Sequence, residues 1–113
     1  MDIDSLTIGE ARKLATMFHG QASQEPRHPW QIGKAYFIRT VTHHITGRLV
    51  DVTTQELVLE DAAWIPDDGR FAQAVDTGNF KEVEPWPSGR RVIIGRGSLI
   101  DAGEIETTPR SQK

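Results

Sequence analysis

The sequence predicts an α+β, mainly β fold: one N-terminal helix, then a small, strongly bent five-stranded barrel with a helical insertion between strands three and four. Three observations carry this. Apolar residues recur at helical spacing near the start, at Ile8, Ala11, Leu14, Ala15 and Phe18. From Lys34 the pattern changes to period two, in residues that are largely β-branched or aromatic. Short turn signals then separate the apolar runs, which suits antiparallel neighbours and a bent sheet rather than crossover helices. With 113 residues, 37% of them apolar, the chain has material for one domain, 1–113, with a small core.

The helix is expected over 7–19. Thr7 and Glu10 have the spacing of a capping box, in which the hydroxyl and the carboxylate satisfy orphan amides. Gly20 stands where a left-handed C-terminal cap belongs. Residues 20–34 read as a polar linker, because Pro26 and Pro29 resist both helix and ladder. The barrel is expected over 35–105. Its first strand runs from Lys34, with Ala35, Phe37, Arg39 and Val41 alternating against Tyr36, Ile38, Thr40 and Thr42. A second strand is expected from Ile45 to Val52 and a third from Glu56 to Ile65, joined by the hairpin-sized Thr53-Thr54-Gln55. Pro66-Asp67-Asp68-Gly69 is a turn signal. A helix from Arg70 to Asp76 follows, with Gly78 as its stop, and Phe80–Glu84 is compatible with a short further strand. Two last strands, Arg91–Gly95 and Ser98–Ala102, flank Arg96-Gly97, and 106–113 reads as a polar, frayed tail.

Composition excludes several function classes. The net charge is −3, so a broad, sequence-blind coat for nucleic acid is disfavoured. There is no cysteine, hence no disulfide, thiolate metal site or cysteine nucleophile. No apolar run reaches 18 residues, and the acidic Met-Asp-Ile-Asp-Ser start does not look like a secretory signal, so a cytoplasmic protein without a membrane partner is expected. There is no phosphate-binding loop, dinucleotide fingerprint or zincin pattern, so no cofactor and no enzymatic activity are expected.

Two blocks resemble the paired motifs of the Sm-like (LSm and Hfq) family of small SH3-like barrels. The first runs from Ile45-Thr46-Gly47-Arg48-Leu49 through Leu57-Val58-Leu59-Glu60-Asp61-Ala62. The second is Val92-Ile93-Ile94-Gly95-Arg96-Gly97-Ser98-Leu99-Ile100. The resemblance implies a homo-oligomeric ring, a hexamer or heptamer, with Arg96 facing a central pore and meeting nucleotide phosphate or base. One feature departs from the RNA-binding members: Thr53-Thr54-Gln55-Glu56 stands where they carry an Asp and an Asn, and Glu56 would repel phosphate. The layout also looks like small proteins of tailed bacteriophages, through Leu6-Thr7-Ile8-Gly9-Glu10-Ala11-Arg12, Ile38-Arg39-Thr40-Val41-Thr42-His43-His44 and Glu60-Asp61-Ala62-Ala63-Trp64-Ile65. That implies a viral origin and the host cytoplasm.

Candidate ligand-binding residues are Arg96, Gly97, Arg39, His43, His44, Arg48 and Trp64. A guanidinium fork suits phosphate and stacks on bases. Its ordinary alternative at Arg96 is a surface arginine before a glycine at positive φ, where valine would impair folding. His43 and His44 are adjacent, on or just after a strand, where successive side chains point to opposite faces, so they do not ligate one metal in regular geometry, and no metal is expected. Arg39 lies among apolar neighbours and needs a partner, with Glu60 or Asp61 the plain choice. Trp64, Phe71, Phe80 and Trp86 are expected near the insertion, where they either cover the core or stack on bases.

Three functions compete. One is non-catalytic capture of a nucleotide-type ligand, in a phage a sponge for host immune signals. Another is an Sm or Hfq-like RNA-binding ring. The third is a structural adaptor that assembles through strand edges.

Overall fold

In the computed structural model, which describes residues 28–113, the chain runs through six strands and one short helix. They are β1 (Ala35–Thr40), β2 (His44–Val52), β3 (Glu56–Asp67), α1 (Phe71–Thr77), β4 (Glu82–Pro85), β5 (Val92–Gly95) and β6 (Leu99–Ile105). The expected helix over 7–19, and the linker up to residue 27, lie outside the described residues.

β1, β2 and β3 form the antiparallel meander that their short turns dictate. β3 then serves two partners. Its first half, Glu56–Leu59, pairs with β5, and its second half, Ala63–Asp67, pairs with β4. Between the halves Asp61 takes the left-handed conformation, φ 51°, and the chain bends. β6 returns to pair with β1 at the far end of the order β4-β3-β2-β1-β6.

The five-stranded closed barrel is therefore corrected to an open, six-stranded antiparallel sheet. β5 and β6 are separated by the 3₁₀ turn Arg96–Ser98 and do not pair with each other. No described strand joins the β4 end of the sheet to the β6 end, so the ladder does not close. The sixth strand is β4, on Glu82–Pro85, which overlaps the Phe80–Glu84 run that the sequence allows as a short further strand.

Both faces of this bent sheet bury apolar side chains. On one, Phe37, Ala63, Ile65, Ala74, Phe80, Val83 and Ile105 form a single cluster, with α1 laid over it through Ala74. On the other, register sets Ile38 opposite Ile45, Leu49 opposite Leu59, Leu59 opposite Val92 and Leu57 opposite Ile94, all buried. α1 stops as its sequence dictates: Gly78 adopts φ 73° and its amide donates to the Ala74 carbonyl.

Gly97 differs from expectation. It has no positive φ, and a β-carbon there would meet open space. It lies in the 3₁₀ turn, whose geometry any residue adopts, so valine is not excluded there.

Beyond β6 the chain forms no further helix or strand and meets β4. The Lys113 and Val83 amides each donate to the other's carbonyl, at 3.0 and 2.8 Å, which lays the tail along β4. Among the described residues no helix is long and apolar enough to cross a membrane.

Candidate functional site

Among the described residues a concavity lies between α1 and β6. It is a groove of about 380 Å³ lined by Phe37, Phe71, Val75, Asp101, Glu104 and Ile105 together with the small Ala102 and Gly103. That volume lies in the range of small-molecule sites. β1 and β6 build it together. Phe37 and Arg39 are two residues apart on β1 and so share a face, and register places Arg39 opposite Asp101.

Arg39 sits beside the groove in a defined pose. Its Nε donates to Asp101 Oδ1 at 2.7 Å and its Nη2 to Oδ2, the fork geometry that a carboxylate favours. The guanidinium carbon stands 4.6 Å from the centroid of the Phe71 ring, a cation–π stack. Phe71 remains 46% exposed, so part of its surface stays open to solvent. Next to this pair, His44 Nδ1 lies 2.9 Å from both oxygens of Asp68, within hydrogen-bonding distance of the carboxyl group. The His44 ring meets Phe37 edge-on at 5.7 Å.

Charge holds this cluster together. The hydrogen bonds from Arg39 hold the Asp101 carboxyl below its ordinary value, against a smaller desolvation effect, and His44 adds to the lowering. Asp101 in turn raises Arg39, with Asp68 a lesser contributor. The sign for stability follows. A carboxyl depressed in the folded state contributes fully above its unfolded value near 3.8, and that contribution drains away as pH falls through the lower folded value. Asp101→Asn should therefore unfold at lower denaturant than the parent at pH 6, and the gap should close below about pH 3.8. A gap unchanged down to pH 2.5 would contradict the pairing.

The other expected ligand residues are placed elsewhere and are engaged. Arg96 donates from Nη1 to the Thr53 carbonyl at 2.6 Å, and its amide to the Gln55 carbonyl at 2.7 Å. It clamps the β2–β3 turn. Arg48, not Arg39, takes Glu60 at 3.1 Å, with Asp61 at 3.7 Å. His43 lies in the turn before β2, pairs with Thr42 Oγ1 and packs edge-on to Trp64 at 6.1 Å, whereas His44 begins β2 and meets Asp68. Thus only Arg39 and His44 of the seven expected residues belong to the Arg39–Asp101 and His44–Asp68 cluster beside the groove.

Two contributors escape the sequence reading: Asp68 reads there as turn chemistry and Asp101 carries no role, whereas Phe71 is among the aromatics that either cover the core or stack on bases. Proximity of an unpaired arginine pattern on β1 to an isolated aspartate on β6 is a long-range fact that no local motif signals.

Comparison with protein-family models, curated proteins and solved structures finds no match to this chain.

Proposed function

We propose that the protein is a non-catalytic binding module for a nucleotide-type ligand, with the base seated against Phe71 at the mouth of the α1–β6 groove. The observation that supports this reading most directly is the Arg39–Phe71 stack beside that groove. An arginine plane and an aromatic face are the two surfaces on which bases stack. The carboxylates of Asp101 and Glu104 on the groove wall accept hydrogen bonds only, which suits amino and imino groups on a base edge and leaves phosphate directed outward. Capture of host signalling nucleotides by a viral ring is one form of this reading.

Calorimetric titration with nucleoside monophosphates and cyclic dinucleotides tests it. Binding to the parent is expected, with Phe71→Ala weakening it by about fivefold or more, since a stacked base is worth about 1–3 kcal/mol. No heat from any nucleotide at millimolar concentration, or an unchanged affinity in Phe71→Ala, would refute the site.

Assembly is a second reading with its own support. β5 and β6 each pair on one side only among the described strands, and Ile93 on β5 and Ile100 on β6 are each 64% exposed. An unpaired edge beside exposed apolar residues is a surface for a further copy. A homo-oligomer built on these edges is compatible with the nucleotide reading and would repeat the groove in every subunit.

A further inference from the structure

β4 and β6 stand at the two ends of the strand order, and their outer edges differ. Along β4 the Val83 amide and carbonyl are both taken by Lys113. Along β6, among the described residues, the backbone forms a ladder with β1 alone. Its outer edge therefore presents alternate amides and carbonyls without a strand partner. The five successive residues Ile100 to Glu104 are exposed there.

Edges of this length are ordinarily guarded by a lysine, a proline or a bulge. Between Leu99 and Ile105 there is neither lysine nor proline. The register shift lies between Arg39 and Thr40, at the start of β6, and Asp101 to Ile105 pair regularly. In the middle of the strand stand Ala102 and Gly103, and a β-carbon at Gly103 would meet nothing within 4 Å. A glycine inside a strand commonly marks the place where another backbone comes close.

The surface beside this edge carries charge of one sign. A second cavity, of about 450 Å³, continues the α1–β6 groove along the strand, and the two share Val75, Glu104 and Ile105. Its remaining walls include Asp76 near the end of α1, Lys34 before β1 and Glu106 beyond β6. Among the described residues Asp76, Glu104 and Glu106 enter no ion pair and no side-chain hydrogen bond. Lys34 is the one cation that lines the cavity with them.

These features select an occupant. A bare strand edge takes an extended chain, and uncompensated carboxylates take lysine or arginine side chains borne on it. The same carboxylates repel phosphate, so this surface is not the base seat at Phe71 and its occupation does not depend on a nucleotide there. We propose that the outer edge of β6 binds an extended, lysine- or arginine-bearing segment of a partner protein by strand addition, with its basic side chains directed to Asp76, Glu104 and Glu106. Main-chain hydrogen bonds to β6 supply affinity, and the carboxylates supply selectivity.

Fluorescence anisotropy tests this with a labelled peptide of alternating lysine and valine, seven residues long to match β6. It should bind about tenfold more tightly than the same peptide with glutamate in place of lysine. A version N-methylated at every amide keeps the charge but cannot complete a ladder, and it should lose binding. Asp76, Glu104 and Glu106 are all exposed, so the triple variant Asp76→Asn, Glu104→Gln, Glu106→Gln should fold as the parent does. That variant should bind the lysine and glutamate peptides alike. Equal binding of the methylated peptide would overturn strand addition. A preference for lysine that survives in the triple variant would overturn the role of the carboxylates. Absence of binding by the lysine peptide would overturn the proposal outright, and a chain that then sediments as an oligomer with protected β6 amides would assign the edge to a second copy.

Discussion

Replacing Phe80 by alanine is expected to cost about 3–5 kcal/mol of folding stability, the largest effect of any single change on this face of the sheet. Phe80 is fully buried, and its ring packs 4.9 Å from that of Phe37. It follows α1 directly and reaches under it, so the same side chain fills the core and fixes the helix over β1. Its loss leaves a cavity walled by Phe37, Ala63, Ile65 and Val83, which are anchored in strands and do not collapse inward. Since Phe37 also lines the groove, the site should loosen with it. Urea unfolding followed by tryptophan fluorescence measures the change. A loss below about 1 kcal/mol would mean that the cluster is not the core it is taken for.

The second large effect is expected at Gly47. A β-carbon there would stand 2.9 Å from both Cβ and Cδ1 of Leu59. Cδ1 can rotate away, whereas Cβ moves only with the backbone of β3. Gly47 thus lets β2 and β3 approach more closely than side chains on facing strands ordinarily permit, and the register shift between Thr46 and Arg48 lies at this point. Gly47→Ala should destabilise by about 1–3 kcal/mol through overpacking. Leu59→Ala should not rescue it, because the Cβ contact survives that change. Restored stability in the double variant would show that the conflict lay at the end of the leucine side chain.

What was legible follows from the range of each interaction. The β1–β2–β3 meander was readable because its turns are short and its alternation is regular. α1 was readable because Gly78 stops it and its apolar residues share one face. β6 was expected to end at Ala102 but continues to Ile105, since Gly103 and Glu104 break the apolar alternation while the ladder with β1 carries on. Closure into a barrel was inferred from strand count and turn length, neither of which states which edges meet. At the site the same limit applies. Arg39 visibly needed a carboxylate, and the near candidates were Glu60 and Asp61, but Arg48 claims those and Arg39 finds Asp101. Arg96 stood out by its motif and turned out to hold a neighbouring turn.

The Arg39–Asp101 contact joins residues 62 apart in the chain, whereas β1–β2 and β2–β3 close across a few residues. Chain entropy orders these events: local hairpins form early, and a pairing that must gather so long a loop forms late. The groove, one wall of which is β6, is therefore completed only at the end of folding. By the same ordering β6 is among the first elements to detach when the native state fluctuates, and its amides should exchange with solvent sooner than those of β2 and β3. A ligand that bridges α1 and β6 would then do more than occupy a surface. It would slow the opening of β6, and protection of its amides would report the ligand's arrival.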